Sequence, residues 1–176
     1  MKLKNKSFFV FLIALLPLSG CGVYSFTGAS LSPDIKTMSI ATFYDNSGQG
    51  PAGMGQNFTE SIKDYFQQNT SLALVQTDGD LQMEGNIVGY RITPIAPTAS
   101  GNANVADQAG LQRLTITVSV TFVNTKDETA NFKKSFSFYD DFNPNTESLT
   151  SAEPRLIETI FDQIVFDIFN ASVANW

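Results

Sequence analysis

The sequence predicts an α+β fold: a two-layer sandwich in which a mostly antiparallel sheet is packed on one face by two amphipathic helices. Three observations predict it. Residues 114–122 alternate apolar and hydroxyl-bearing side chains without a break, which marks a strand buried on one face. Residues 132–138 resume that period after a short charged interruption. Two other stretches, 58–66 and 156–169, carry apolar residues at helical spacing instead. The chain has 176 residues, 43% hydrophobic and 12% aromatic, enough for one domain with a substantial core.

The first element is an address. Lys2, Lys4 and Lys6 precede an uncharged apolar run from Phe8 to Leu18, which is short for a membrane span but suited to a signal peptide. The run ends in Leu18-Ser19-Gly20-Cys21, which resembles a lipobox. Cys21 is the sole cysteine in the chain, and it stands where a bacterial lipoprotein receives diacylglycerol. Residues 1–20 are therefore expected to be a cleaved lipoprotein signal peptide. Residues 21–176 then form a single domain anchored through Cys21 by acyl chains, palmitate among them, each contributing ~0.8 kcal/mol per buried CH₂. Loss of the three lysines takes the net charge from −6 to −9. Residues 22–26 carry no charge, and the first acid is Asp34. An aspartate directly after the cysteine resembles an inner-membrane retention signal, and an acidic cluster resembles a surface-export signal. With neither present, the expected site is the periplasmic face of the outer membrane.

The domain follows in order. Thr37 to Phe43 reads as a strand, and 45–55 as a loop with four glycines and Pro51. Asn57 with Glu60 predicts a capping box, and Phe58, Ile62 and Phe66 form the stripe of a helix ending near Asn69. A strand begins at Leu72, and Asp78-Gly79 is a hairpin-type turn signal leading into Leu81, Met83 and Ile87. Val88, Tyr90 and Ile92 take the opposite parity, which predicts a bulge near Gly85 or Gly89. Residues 93–110 form a loop. Leu114, Ile116, Val118, Val120 and Phe122 then face Phe132, Phe136 and Phe138 across a hairpin. Both apolar sets use even positions, so the register pairs Phe122 with Phe132, Val118 with Phe136 and Ile116 with Phe138 around a loop at 125–129. The last helix is expected from about Glu153, with Pro154 in its first turn. Val23, Tyr24 and Phe26 suggest an additional edge strand.

Little in this chain suits catalysis. No histidine is present, which removes the usual general base and the Ser-His-Asp and Cys-His arrangements. One cysteine and no histidine exclude zinc and iron–sulfur frameworks, and no metal or cofactor is expected. The acidic balance argues against nucleic acid. Gly48-x-Gly50-x-x-Gly53 matches a dinucleotide fingerprint, with Asp78 as ribose acid. Pro51 removes a donor, however, the first glycine lies well past the strand, and only one βαβ unit is available. Asp140 and Asp141, with Glu147, could hold a cation. Adjacent strand residues point to opposite faces, and Arg113 opposite Asp141 predicts an ion pair instead. Arg113, Lys133 and Lys134 are candidate contacts for an anionic lipid. Thr115, Thr117, Ser119, Thr121, Ser135 and Ser137 form an uncharged hydroxyl-rich face, a candidate contact surface for a partner.

The lipobox, the segment Gly22-Val23-Tyr24-Ser25-Phe26-Thr27-Gly28, Lys36-Thr37-Met38-Ser39-Ile40, the stretch from Asp78 to Tyr90 and the amphipathic last helix together resemble the LPS-assembly lipoprotein family, and more narrowly its LptE-like members from Bacteroidetes. The resemblance covers residues 21–176. It implies an outer-membrane lipoprotein that partners the LPS-inserting β-barrel translocon, supports its assembly and acts as its plug, with contact to lipopolysaccharide. It transfers no catalytic residue. A periplasmic lipid carrier, holding an acyl chain between sheet and helices, is the alternative. An enzyme is the third reading, disfavoured by the missing histidine and the acylated cysteine.

Overall fold

One mixed sheet of six strands carries two helices on a single face. In this computed structural model the described residues are 31–95 and 110–173; the signal peptide, Cys21, the segment 22–26 and most of the 93–110 loop lie outside them. The elements are β1 (Thr37–Ile40), β2 (Tyr44–Asp45), α1 (Met54–Asn69), β3 (Ala73–Val75), β4 (Leu81–Pro94), β5 (Gln112–Asn124), β6 (Phe132–Phe142) and α2 (Leu149–Ser172), with a 3₁₀ turn at Glu128–Ala130. The strand order is β3-β1-β4-β5-β6, with β2 also paired to β4. Among the described residues no helix is long and apolar enough to cross a membrane.

The antiparallel half follows the predicted register. Phe122 pairs with Phe132, Val118 with Phe136, Ile116 with Phe138 and Arg113 with Asp141. The strands run further than their apolar cores, and the connection occupies 125–131 rather than 125–129, because the 3₁₀ turn is inserted there. Asp127 caps that turn by accepting the Thr129 amide at 3.0 Å. The bulge falls between Ile87 and Gly89. Val88 is the extra residue and is 47% exposed, whereas Tyr90 returns to the buried face. Val88 is thus not on the inner parity that its spacing to Tyr90 suggests.

The parallel half departs from expectation. Asp78-Gly79 does not close a hairpin: β1 lies between β3 and β4 and runs parallel to both. The chain leaving β3 must cross β1 to begin β4. Gly79 makes that crossing, since a Cβ there would lie 2.5 Å from the Ser39 amide nitrogen and 2.7 Å from the Met38 carbonyl carbon. No side chain fits, so glycine is required by close approach. Asp78 adopts φ 56° to enter the crossing. Asp80 then fastens it. Its carboxylate accepts the Lys36 and Thr37 amides, both at 3.0 Å, and the Thr37 hydroxyl at 2.9 Å, with Lys126 Nζ at 3.2 Å. The Lys36 amide and the other donors hold this carboxyl far below its ordinary value.

Both helices start earlier than predicted. Gly53 (φ 82°), not Asn57, caps α1, and no side chain bonds the helix N-terminus. The first turn sits against the chain between β1 and β2, where a Cβ on Gly55 would lie 2.5 Å from the Phe43 carbonyl oxygen. Ser148 caps α2, accepting the Ser151 amide at 3.3 Å. Pro154 therefore falls in the second turn, where its missing N–H costs one helical bond. Starting at Leu149 lets Ala152 reach the core, at 1% exposure.

The core lies between helices and sheet. Phe58, Ile62 and Phe66 from α1 and Leu156, Ile160, Ile164 and Ile168 from α2 are all fully buried. They meet Leu114, Ile116, Val118 and Val120 from β5. Phe58 packs edge-on to Phe43 at 5.1 Å and to Phe161 at 4.9 Å. Polar contacts also tie α2 to the sheet: the Tyr90 hydroxyl donates to Glu153, and Arg155 pairs with Asp140 at 3.1 Å. Burial, and then the Glu153 acceptor, push the Tyr90 hydroxyl well above its ordinary value.

Candidate functional site

The face opposite the helices is the part of the sheet that the core does not use. Alternation in β5 sends Thr115, Thr117, Ser119 and Thr121 outward. The register sets Ser137 beside Thr117 and Ser135 beside Ser119 on β6, and Gly89 and Asn86 beside the same two residues on β4. All six predicted hydroxyl residues therefore share one surface. The Thr117 and Ser137 hydroxyls lie 3.0 Å apart, and Ser137 also donates to the Ile116 carbonyl at 3.1 Å.

Charge flanks this patch, and Arg91 beside Thr115 comes nearest its middle, lining a hollow with Thr115 and Thr117. At one end Glu84, Thr121 and Lys133 lie in line across three strands. At the other, Arg113 forms a bidentate pair with Asp141, Nε to Oδ1 at 2.8 Å and Nη2 to Oδ2 at 3.0 Å. Its guanidinium also lies over the Tyr139 ring, 3.5 Å from the centroid. The stretch around Ser119 and Ser135 can stay wet or press against a wall without desolvating a charge of its own.

Three apolar side chains on this surface escaped the sequence reading. Tyr44 is 65% exposed, Val88 47% and Tyr139 45%. Tyr44 lines a shallow hollow with Asn86, Ser119 and Thr121, and Val88 lines a second with Thr115 and Thr117. Tyr139 was legible in principle, since its odd number places it on the polar parity; Phe138 beside it hides the signal. Tyrosines with an apolar body and a polar tip are common anchors of protein interfaces.

The three candidate lipid-contacting cations do not converge. Arg113 is eight residues along β5 from the position opposite Lys133, roughly 25 Å at strand rise. Lys134 has the opposite parity and lies over Phe132, 5.2 Å from its centroid. The carboxylates are dispersed too. Asp141 serves Arg113, while Arg155 bridges Asp140 at 3.1 Å and Glu147 at 3.2 Å. Among the described residues no group of three His, Cys, Asp or Glu is placed to hold a metal ion. The glycine-rich loop is shaped for turning: Gly48 and Gly53 have φ 71° and 82°, and the Asp45 carboxylate lies against Gly50, where a phosphate would be repelled.

The described residues define an open-faced α+β sandwich with a polar, tyrosine-edged sheet surface. The chain belongs to the LptE lipopolysaccharide-assembly family, whose model matches residues 35–172. Membership makes it an envelope lipoprotein of lipopolysaccharide assembly. A search of curated proteins finds no match. Among solved structures, a hypothetical protein from Chlamydia trachomatis is similar in fold, with a TM-score of 0.51 and 8% identity over 80% of this chain and 99% of that one. A minor lipoprotein from Acinetobacter baumannii aligns with a TM-score of 0.46 and 13% identity over 76% and 88% of the two chains. The rare lipoprotein B from Shewanella oneidensis aligns with 0.44 and 9% over 77% and 90%.

Proposed function

We propose that this lipoprotein, anchored through Cys21 to the periplasmic face of the outer membrane, partners the β-barrel translocon that inserts lipopolysaccharide, supporting its assembly and plugging its lumen. The observation that carries the reading is the sheet face that the described residues leave uncovered: hydroxyls on β5 and β6, charges flanking them and tyrosines for contact. A plug in a wet lumen needs such a surface, because unpaired charge pressed against the wall is costly. The function is binding, not turnover. Lipopolysaccharide contact by Arg113, Lys133 and Lys134 engages separate anionic groups, since the three lie too far apart for one phosphate. Purifying the native complex from outer membranes in mild detergent tests the proposal. The barrel should co-purify, and depleting this protein should lower barrel levels and lipopolysaccharide at the surface. Unchanged barrel and transport would contradict it.

The carrier reading requires room between sheet and helices. Phe43, Phe58, Phe66 and Phe122 fill that space at 0–1% exposure, which supports the assembly role over an internal lipid site.

A further inference from the structure

The long edge of the sheet carries a pattern of its own. Strand β6 is outermost, and among the described residues no strand pairs with its free side. Its aromatics Phe132, Phe136 and Phe138 are only partly buried, although Ile116, Val118 and Phe122 opposite them are almost completely so. An edge of 11 residues, half covered on its inner face, is a template for another strand.

The sequence of β6 says which strand fits. From 132 to 142 it reads Phe-Lys-Lys-Ser-Phe-Ser-Phe-Tyr-Asp-Asp-Phe. The lysine pair and the aspartate pair stand equally far from the ends, and Ser137 is the middle residue. Turned end for end, the strand sets its lysines on its aspartates. An antiparallel second copy centred on Ser137 places Lys133 opposite Asp141, Lys134 opposite Asp140 and Phe136 opposite Phe138. An edge with one sign of charge would repel its own copy in this arrangement, whereas β6 attracts it.

Both faces agree with that register. Odd positions of β6 lie on the hydroxyl face and even positions on the helix side. Pairing odd with odd and even with even keeps every side chain on its own face. Lys133 then meets Asp141 on the hydroxyl face. Lys134 meets Asp140 on the helix side, where Phe136 and Phe138 extend the half-covered aromatic band. Lys133 and Lys134 are exposed, and among the described residues neither has a carboxylate partner. Asp141 and Asp140 already bind Arg113 and Arg155 of their own chain, and a carboxylate keeps acceptor sites for a second cation.

We infer that the occupant of this edge is a second copy of the chain, joined through β6 across a two-fold axis at Ser137. The contact is isologous, so each ion pair and each aromatic pair occurs twice. Pairing covers the open ladder of β6 and stops further strands from adding to it. It leaves the hydroxyl face open, so the inference goes beyond the barrel contact proposed above and does not depend on it.

Sedimentation velocity on the chain from residue 21, carrying Cys21→Ser, tests this without lipid or barrel. The protein should form a concentration-dependent dimer, and a monomer throughout the micromolar range overturns the inference. On the same background Ser137→Cys should close a disulfide between copies under mild oxidation, because the axis brings the two residues to about 5 Å at Cα. Ser135→Cys should not, since its two copies stand about 13 Å apart along the strands. Equal trapping at both positions overturns the inference. Lys133→Asp with Lys134→Asp should weaken the dimer about tenfold or more, because every cross-strand ion pair becomes a repulsion. Mixing that variant with Asp140→Lys, Asp141→Lys should restore a dimer containing one copy of each. A dimer indifferent to the lysine substitutions would place the contact elsewhere and overturn the inference. The lysine variant and the Ser137 trap decide the question even if loss of the Arg113 and Arg155 pairs unfolds the aspartate variant.

Discussion

Ile116 and Thr117 are neighbours in β5, yet they belong to different problems. Ile116 is fully buried beneath the helices and faces Phe138. Thr117 lies on the opposite surface beside Ser137 and Gly89. One face of this sheet is made to be covered by its own chain. The other is left polar along the whole of β5, although covering it would stabilise the fold. This polar surface is the one proposed to meet a partner. The contrast separates residues that hold the domain together from those proposed to contact a partner.

Substitutions sharpen the contrast. Ile116→Ala removes a packed side chain and should lower unfolding stability by roughly 2–5 kcal/mol in a denaturant titration. Thr117→Ala, one residue away, should stay within about 0.5 kcal/mol of the wild type. Equal losses would dissolve the distinction between the faces. Gly79→Ala probes the place where, among the described residues, the outer face is crossed by its own chain. The new methyl meets only backbone, so the crossing must shift, with an expected cost of about 1–3 kcal/mol in thermal unfolding.

Asp80 provides a pH-dependent version of the same test. Its folded-state pKa lies below the ordinary 3.8, so the unfolded chain binds the proton first as pH falls. Its contribution is therefore fully present above about pH 5 and is lost as pH drops through 3.8 toward the folded value. Asp80→Asn should destabilise the domain at neutral pH, and the gap between the two proteins should narrow steadily on acidification. A gap independent of pH would mean that the carboxylate charge is not what fastens the crossing. The smallest stability effect is expected for Thr117→Arg with Ser135→Glu, within about 0.5 kcal/mol of the wild type for the isolated domain.

The two halves of the sheet also differ in how far they can be read from sequence. The β5–β6 register follows from parity alone. Apolar residues at even positions on both strands admit only even offsets, and Arg113 opposite Asp141 fits the same choice. The β3-β1-β4 order does not follow from any local pattern. Asp78-Gly79 has the chemistry of a tight turn, but the same two residues serve a crossing over β1, and only the distant Ser39 and Thr37 distinguish the two. Helix starts were misplaced for a related reason. Asn57 looks like a cap in isolation, whereas the fit of Gly55 against the Phe43 carbonyl sets the first turn. The hydroxyl face was legible because it is the complement of the apolar alternation. Tyr44 and Val88 were not, since a two-residue strand and a bulge residue leave no periodic trace.

The central claim is that the polar face serves a partner and not the fold. Thr117→Arg with Ser135→Glu tests it most directly, when the variant replaces the native protein in cells and the barrel translocon is recovered with it from detergent extracts. The account predicts a variant that is folded and present at normal levels, with reduced barrel recovery and a more permeable outer membrane. Normal barrel recovery, with both charges in place and the domain intact, would contradict it.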